Sequence, residues 1–334
     1  MGSPRKRRWL WGILALVVVA VPLLLTLIGA WTSPPHVRGV PVGRLAFLDA
    51  DQPSEHTTML RGLFLTQPRG PMRELVHETE PQDTDAGVRV WITQPTFSPD
   101  GTQIAFEEQL ITLLEEKQSI VDQLWVMRLD DPKAKPRLLL DLTRHKMKQI
   151  VGMTWTDDSE AVVFLNDATR CTVMAVANPG LTQQPLEGCP PLQLSPDTSA
   201  TRNPTLIQDG TLAYTTITPT GPQTIVGQHA IKDLQRYALS PDGRQMAGLT
   251  SERGNQIVIH GNGAVREVKA RWGWSVFGQR KITGLRWSPD GRFLAYSVSK
   301  PPIPEDEIFY VDLATGRCFQ LPVRAGSAGW DWGR

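Results

Sequence analysis

The chain has 334 residues, 40% of them apolar, with 35 basic against 34 acidic side chains. Four of the basic residues fall in the first thirty, which hold no acid, so the remaining 31 basic residues face 34 acids; that balance excludes a phosphate-pairing basic face and hence nucleic-acid binding. Three cysteines exclude a disulfide-built scaffold, and 28 glycines with 27 prolines mark a turn-rich chain rather than a disordered one.

Residues 1–8 carry Arg5, Lys6, Arg7 and Arg8, and residues 9–31 follow without one charged side chain. A helix of that length spans the roughly 30 Å hydrocarbon core, and the basic cluster is expected to stay cytoplasmic. Trp9, Trp11 and Trp31 sit at the ends of the run, where indoles favour the headgroup region. The expectation is a single-pass anchor in the cell (inner) membrane, with the rest of the chain on the periplasmic or extracellular side. A cleaved signal ending near Ile28-Gly29-Ala30 is the alternative. Residues 32–41 are proline-rich and read as a short, stiff tether.

From residue 42 onward the chain repeats. Ser98-Pro99-Asp100-Gly101 precedes Gln103-Ile104-Ala105-Phe106; Ser240-Pro241-Asp242-Gly243 precedes Gln245-Met246-Ala247-Gly248; Ser288-Pro289-Asp290-Gly291 precedes Phe293-Leu294-Ala295-Tyr296. Degenerate copies centre on Asp158 and Asp209. Proline presets the first turn angle, Asp bonds back to the backbone and Gly supplies positive φ, so each copy predicts a tight hairpin between two antiparallel strands. Third and fourth strands follow, as in Gln123–Met127 with Pro136–Leu140 and Glu307–Val311 with Arg317–Leu321. The turn aspartates recur every 47 residues or so, which gives about six four-stranded units between residues 42 and 334. The first unit lacks an inner strand. Trp332 lies one unit after Trp287, so residues 327–333 are expected to supply it and close the ring.

The repeat resembles that of the TolB-type propeller family: Ser-Pro-Asp-Gly, an Ile-Ala-Phe-like strand, then an Ile-Tyr-Val-Met-Asp-like strand. The best copies are 98–106 with 123–128 and 288–296 with 308–312. The resemblance implies an all-β, six-bladed β-propeller of four-stranded antiparallel blades, here preceded by one transmembrane helix. That helix stands where the family's namesake has a small α/β domain, so binding to the peptidoglycan-associated lipoprotein is not implied.

Chemistry-bearing motifs are sparse. The six histidines are scattered singly, no Gly-x-Ser-x-Gly elbow exists, and the Asp-Gly turns lack the alternating acids of a calcium loop. No catalytic residue, cofactor or metal is expected, and the chain is expected not to be an enzyme. Cys171, in the third strand of the third unit, and Cys189, just after its fourth, are candidates for a disulfide; Cys318 is left over. Variable insertions fall on the face opposite the Asp-Gly turns. One, residues 107–122, reads as a helical stripe through Leu110, Leu113 and Leu114; another links the fifth and sixth units through Arg271, Trp272, Trp274 and Phe277. Trp and Arg are typical interface anchors, so these seven residues are the expected docking surface for a protein partner or membrane complex, unless the aromatics instead pack between units. The functional expectation is an interaction scaffold or accessory subunit of an envelope complex. The alternatives are a hydrolase or lyase, or a carbohydrate-binding module, working in the central funnel.

Overall fold

The computed structural model describes residues 34–37, 40–50, 61–66, 72–77, 88–114, 117–144, 150–156, 158–166, 172–177, 180–185, 202–206, 212–218, 221–226, 229–232, 234–250, 256–261, 263–272, 280–300, 303–326 and 329–334. Every regular element among them is a β-strand. The first sheet contains β1 (Arg44–Ala50), β2 (Arg61–Thr66) and β3 (Arg73–His77). The second is β4 (Val88–Phe97), β5 (Gln103–Leu114), β6 (Lys117–Arg128) and β7 (Arg137–Asp141). The third is β8 (Ile150–Trp155), β9 (Ala161–Asn166), β10 (Thr172–Ala177) and β11 (Gly180–Pro185). The fourth is β12 (Arg202–Leu206), β13 (Leu212–Thr218), β14 (Gly221–Val226) and β15 (His229–Lys232). The fifth is β16 (Leu234–Leu239), β17 (Gln245–Thr250), β18 (Ile257–Gly261) and β19 (Ala264–Val268). The sixth is β20 (Ile282–Trp287), β21 (Phe293–Lys300), β22 (Ile303–Asp312) and β23 (Cys318–Gly326). The last strand, β24 (Trp330–Gly333), returns to the first sheet and pairs antiparallel with β1, Trp332 opposite Leu45 and Trp330 opposite Phe47.

The Ser-Pro-Asp-Gly turns are self-contained hydrogen-bond units. The Ser98 hydroxyl donates to Asp100 Oδ1 at 2.6 Å and accepts the Gln103 N–H at 2.9 Å, while Asp100 Oδ1 accepts the Thr102 N–H at 2.9 Å. Ser240 with Asp242, and Ser288 with Asp290, repeat the pattern. Gly101, Gly243 and Gly291 hold φ between 68° and 72°, where a Cβ is penalised. In the degenerate copy Thr156 replaces the serine at 2.5 Å from Asp158, and Ser159 itself takes the positive φ of 62°.

Successive sheets meet through their first strands: β24 lies beside β4, β4 beside β8, β8 beside β12, β16 beside β20, and β20 beside β24, while β14 meets β16. Core residues pack between neighbouring sheets. Tyr296, Trp287 and Leu294 of the sixth sheet share one cluster with Ala247 and Ile257 of the fifth. Phe293, Ala295 and Ile308, on the other side of that sheet, pack with Leu45, Phe47, Trp330 and Trp332 of the first. Indole N–H groups fasten one sheet to the next: Trp155 donates to Thr96 O at 3.0 Å and Trp287 to Ala238 O at 2.8 Å, each carbonyl two residues before the turn serine. Trp332 donates to Val42 O at 2.7 Å.

Two expectations are corrected. Residues 107–122 are not helical. β5 and β6 continue as one hairpin from Gln103 opposite Arg128 to Leu114 opposite Lys117. The Leu110, Leu113, Leu114 spacing imitates a helix, yet an isolated helix of about a dozen residues is marginal in water, whereas Ile111, Thr112, Ile120 and Val121 suit a ladder already nucleated by the turn. Residues 34–37 are not a free tether. The Val37 N–H donates to Gln320 O and the Gln320 N–H to Pro35 O, both at 3.0 Å, so this segment runs parallel along the outer strand β23 and covers its edge. Residues 1–33 lie outside the described residues; among the described ones no helix is long and apolar enough to cross a membrane.

Candidate functional site

The Asp-Gly turns share one face of the molecule (the turn face); the other face carries the β5–β6 hairpin and the links between sheets (the loop face). Toward the loop face, first strands bulge at matching places: β4 between Thr93 and Thr96, β8 between Ile150 and Met153, β16 between Gln235 and Ala238, β20 between Ile282 and Gly284. Two of these bulges hold non-glycine residues in the left-handed region, Gln94 at φ 52° and Arg236 at φ 45°. Each such residue costs on the order of 1–2 kcal/mol, so the rest of the fold must impose it. The bulge aims both side chains across to the next sheet. Gln94 Nε2 reaches Ile150 O at 3.4 Å, and Arg236 donates to Thr283 O.

Beside Gln94 lies a pair of buried acids. Glu107 on β5 is 1% exposed and Asp122 on β6 is 4% exposed. Glu107 faces Leu124 across the ladder and Asp122 faces Gln109, which makes the two carboxyls diagonal neighbours on one face of the sheet. Glu107 Oε2 accepts from Thr93 Oγ1 at 2.6 Å and Gln94 Nε2 at 2.9 Å. Among the described residues Glu107 Oε1 and Asp122 Oδ1 have no hydrogen-bond partner. Burial, reinforced by the Asp122 charge, pushes the Glu107 carboxyl up to about 7 against the bonds from Thr93, Gln94 and Gln109. Burial also raises Asp122.

The sixth sheet solves the same problem differently. Ser297 faces Ile308 and Ser299 faces Asp306, so Asp306 occupies the register that Asp122 holds in the second sheet. Asp306 Oδ2 accepts from Thr283 Oγ1, which is itself 2.7 Å from Ser297 Oγ. Burial raises Asp306, opposed by Thr283 and by the charge of Arg236. The neighbouring Glu307 is ion-paired with Arg280, both buried. Cations are thus built in beside the sixth-sheet acids, and among the described residues none is placed beside Glu107 and Asp122. Between the two clusters stands β24. Asp331 takes Arg286 Nε at 2.9 Å on one oxygen and the Phe97 N–H at 2.9 Å on the other, with Arg286 stacked over Trp330. Among the described residues no group of three or more His, Cys, Asp or Glu is arranged to hold a metal.

Of the residues expected to dock a partner, Arg271 is exposed, with its backbone N–H and carbonyl both bonded to the Tyr296 hydroxyl, at 3.0 and 2.7 Å. Trp272 is half-buried and packs against the core between the fifth and sixth sheets. Trp274 and Phe277 lie outside the described residues, as do Cys171 and Cys189. Leu110, Leu113 and Leu114 are placed on strand β5; their side chains are outside the description. Cys318 is a buried free thiol. The acid pair was not among the expected residues, although a signal existed: Glu107, Asp122 and Asp306 fall in strands rich in apolar residues.

No protein-family model and no curated protein matches the sequence. Solved structures do. TolB from Acinetobacter baumannii is 15% identical, with a TM-score of 0.53, over 87% of this chain and 66% of that one; the chain thus spans just under two thirds of its length. An oligogalacturonate lyase in complex with manganese is 14% identical over 84% of this chain and 74% of its own, TM-score 0.40. The periplasmic gluconolactonase PpgL of Pseudomonas aeruginosa is 16% identical over 84% and 83%, TM-score 0.41. The fold is a TolB-like β-propeller. The expectation that the chain is not an enzyme is corrected, since matched structures include enzymes by name and the architecture gives no ground for excluding catalysis. These likenesses assign no reaction to it.

Proposed function

We propose that this chain is a six-bladed propeller, residues 42–334, held at the cell membrane by residues 9–31 with residues 1–8 cytoplasmic, and that it binds a protein partner through its loop face on the extracytoplasmic side. Six four-stranded sheets meeting in succession, with β24 joined to β1, support the blade count. The uncharged run behind Arg5–Arg8 supports the anchor. One observation carries the binding reading: among the described residues Glu107 and Asp122 are buried with an unpartnered oxygen each, whereas the sixth-sheet acids stand beside Arg280 and Arg236. Buried carboxylates without a counter-charge cost several kcal/mol each. A basic group arriving from a partner removes that cost, and the β5–β6 hairpin beside the pair offers the surface that guides it in.

The test is affinity purification of the full chain in mild detergent, wild type against Glu107→Gln/Asp122→Asn, with co-purifying chains quantified. Loss of a partner by tenfold or more, with an unchanged or raised thermal transition, is expected. Equal recovery would sink the reading. A second reading is favoured by the Glu107 carboxyl poised at about 7, the range of a general acid–base: a propeller hydrolase or lyase. It requires turnover that the Glu107→Gln variant lacks.

A further inference from the structure

The direction of residues 34–37 orients the molecule. β23 begins at the turn closed by Gly316 N to Asp312 O at 2.7 Å, and that turn is tied to the Asp290-Gly291 turn by Leu313 N to Arg292 O at 3.1 Å and by Arg292 with Asp312 at 2.8 Å. β23 therefore rises from the turn face. Pro35 to Val37 run parallel to it beside Gln320, its third residue, so Pro34 points back toward the turn face. The far end of the segment returns there too: Gly43 packs against Gly333 and Pro289, and Arg44 donates to Gly101 O. Trp31, the last residue of the uncharged run, is three residues before Pro34. That separation is at most about 11 Å of extended chain, roughly half of the 20 Å or so that a six-residue strand spans from face to face.

An independent pattern falls on the same face. The exposed large hydrophobic residues among those described are Met72, Leu138 and Val265, 50%, 38% and 64% exposed. Met72 immediately precedes β3, Leu138 is second in β7 and Val265 second in β19. Each of these is the outer strand of its sheet. Each also starts on the turn face: Leu129 N bonds Thr102 O beside the Asp100 turn, Gly261 next to the β18–β19 turn faces Gln245, and Arg73 faces Leu65 at the Leu45–Trp332 end of the first sheet. Three outer rims thus carry an exposed apolar residue near the end from which the uncharged run enters.

We propose that the turn face rests on the phospholipid surface, with Met72, Leu138 and Val265 dipping into the headgroup boundary, so that the loop face and the Glu107–Asp122 pair point away from the membrane. This rests on the anchor reading above. It is tested with the full chain in vesicles of phosphatidylethanolamine and phosphatidylglycerol, carrying the photo-crosslinker p-benzoylphenylalanine at position 72, 138 or 265 on the turn face, or at 271 or 281 on the loop face. Lipid adducts are expected at the first three positions, at least fivefold above the last two. Adducts concentrated at 271 and 281, or absent from both faces of a chain that floats with the vesicles, would overturn the orientation and leave the anchor standing. A chain that fails to float would overturn the anchor itself and the orientation with it.

Discussion

Replacing Glu107 by Gln separates a buried ionisable group from a buried group of the same shape. The native carboxyl stands at about 7 against an ordinary 4.5, chiefly through burial. Between those two values the folded chain keeps a proton that the unfolded chain has released. Stability therefore falls as pH rises through that window, is unaffected below it, and levels off above it. A displacement of this size corresponds to about 3 kcal/mol, or roughly 5–10 °C in the midpoint of a domain this large. The turn acids act elsewhere and with opposite sign: Asp242 and Asp158 are held below the usual carboxylate range by the Ser240 and Thr156 hydroxyls, so their contribution is lost only in stronger acid. Asp306 is raised by burial and keeps the same sign in both proteins. The measurement is thermal unfolding followed by tryptophan fluorescence, wild type minus variant, from pH 4 to 8. Wild type should lose about 3 kcal/mol relative to Glu107→Gln across the window. Parallel profiles, or a wild type that gains stability with rising pH, would refute burial as the governing term.

Trp332→Ala removes a side chain 5% exposed, packed on Phe293 and Tyr310, together with its bond to Val42 O. It should cost about 3–5 kcal/mol and open the β1 edge to protease, whereas a loss under about 1 kcal/mol would mean that β24 does not hold the ring. Trp155→Phe deletes the N–H bonded to Thr96 O together with the five-membered part of a buried indole, so a loss above the roughly 1 kcal/mol of the hydrogen bond alone is expected by chemical denaturation. Arg280→Ala leaves Glu307 buried without its ion-pair partner and should cost about 3–5 kcal/mol, while Arg280→Met/Glu307→Leu should recover most of it in the same melts.

What was legible in the sequence was whatever is satisfied locally. A turn in which Ser98, Asp100 and Gln103 bond one another needs no distant partner, so its copies stand out and their spacing reports the repeat. The tryptophan spacing pointed in the same way to Trp332, which lies one unit after Trp287. The failures share a different cause. Leu110, Leu113 and Leu114 satisfy a helical period as well as a strand, and only the ladder to residues 117–121 decides between them. Pro35 and Val37 find their partner at Gln320, nearly a whole chain away. Glu107 and Asp122 belong to one site only after the β5–β6 hairpin has folded them together, and the strain at Gln94 leaves no trace in composition.

The same division separates the two faces. On the turn face Asp242 and Asp290 each accept hydrogen bonds from a hydroxyl and a backbone N–H within two residues of themselves, so the repeat recurs there with little room to vary and the turn carboxylates are satisfied locally. On the loop face the acids lie deeper in the sheets, and the cost of burying them is met differently: by Thr283 and Arg280 in the sixth with Arg236 reaching across from the fifth, and by the uncharged Thr93, Gln94 and Gln109 in the second. An electrostatic demand left open at one sheet and closed at its equivalent is not a requirement of the fold, because the fold already contains the remedy. It is stored on the β5–β6 hairpin, beside a neighbouring strand strained at Gln94. If the carboxyls were there only to pack, Glu107→Leu/Asp122→Leu would stabilise the chain at no cost to what it binds.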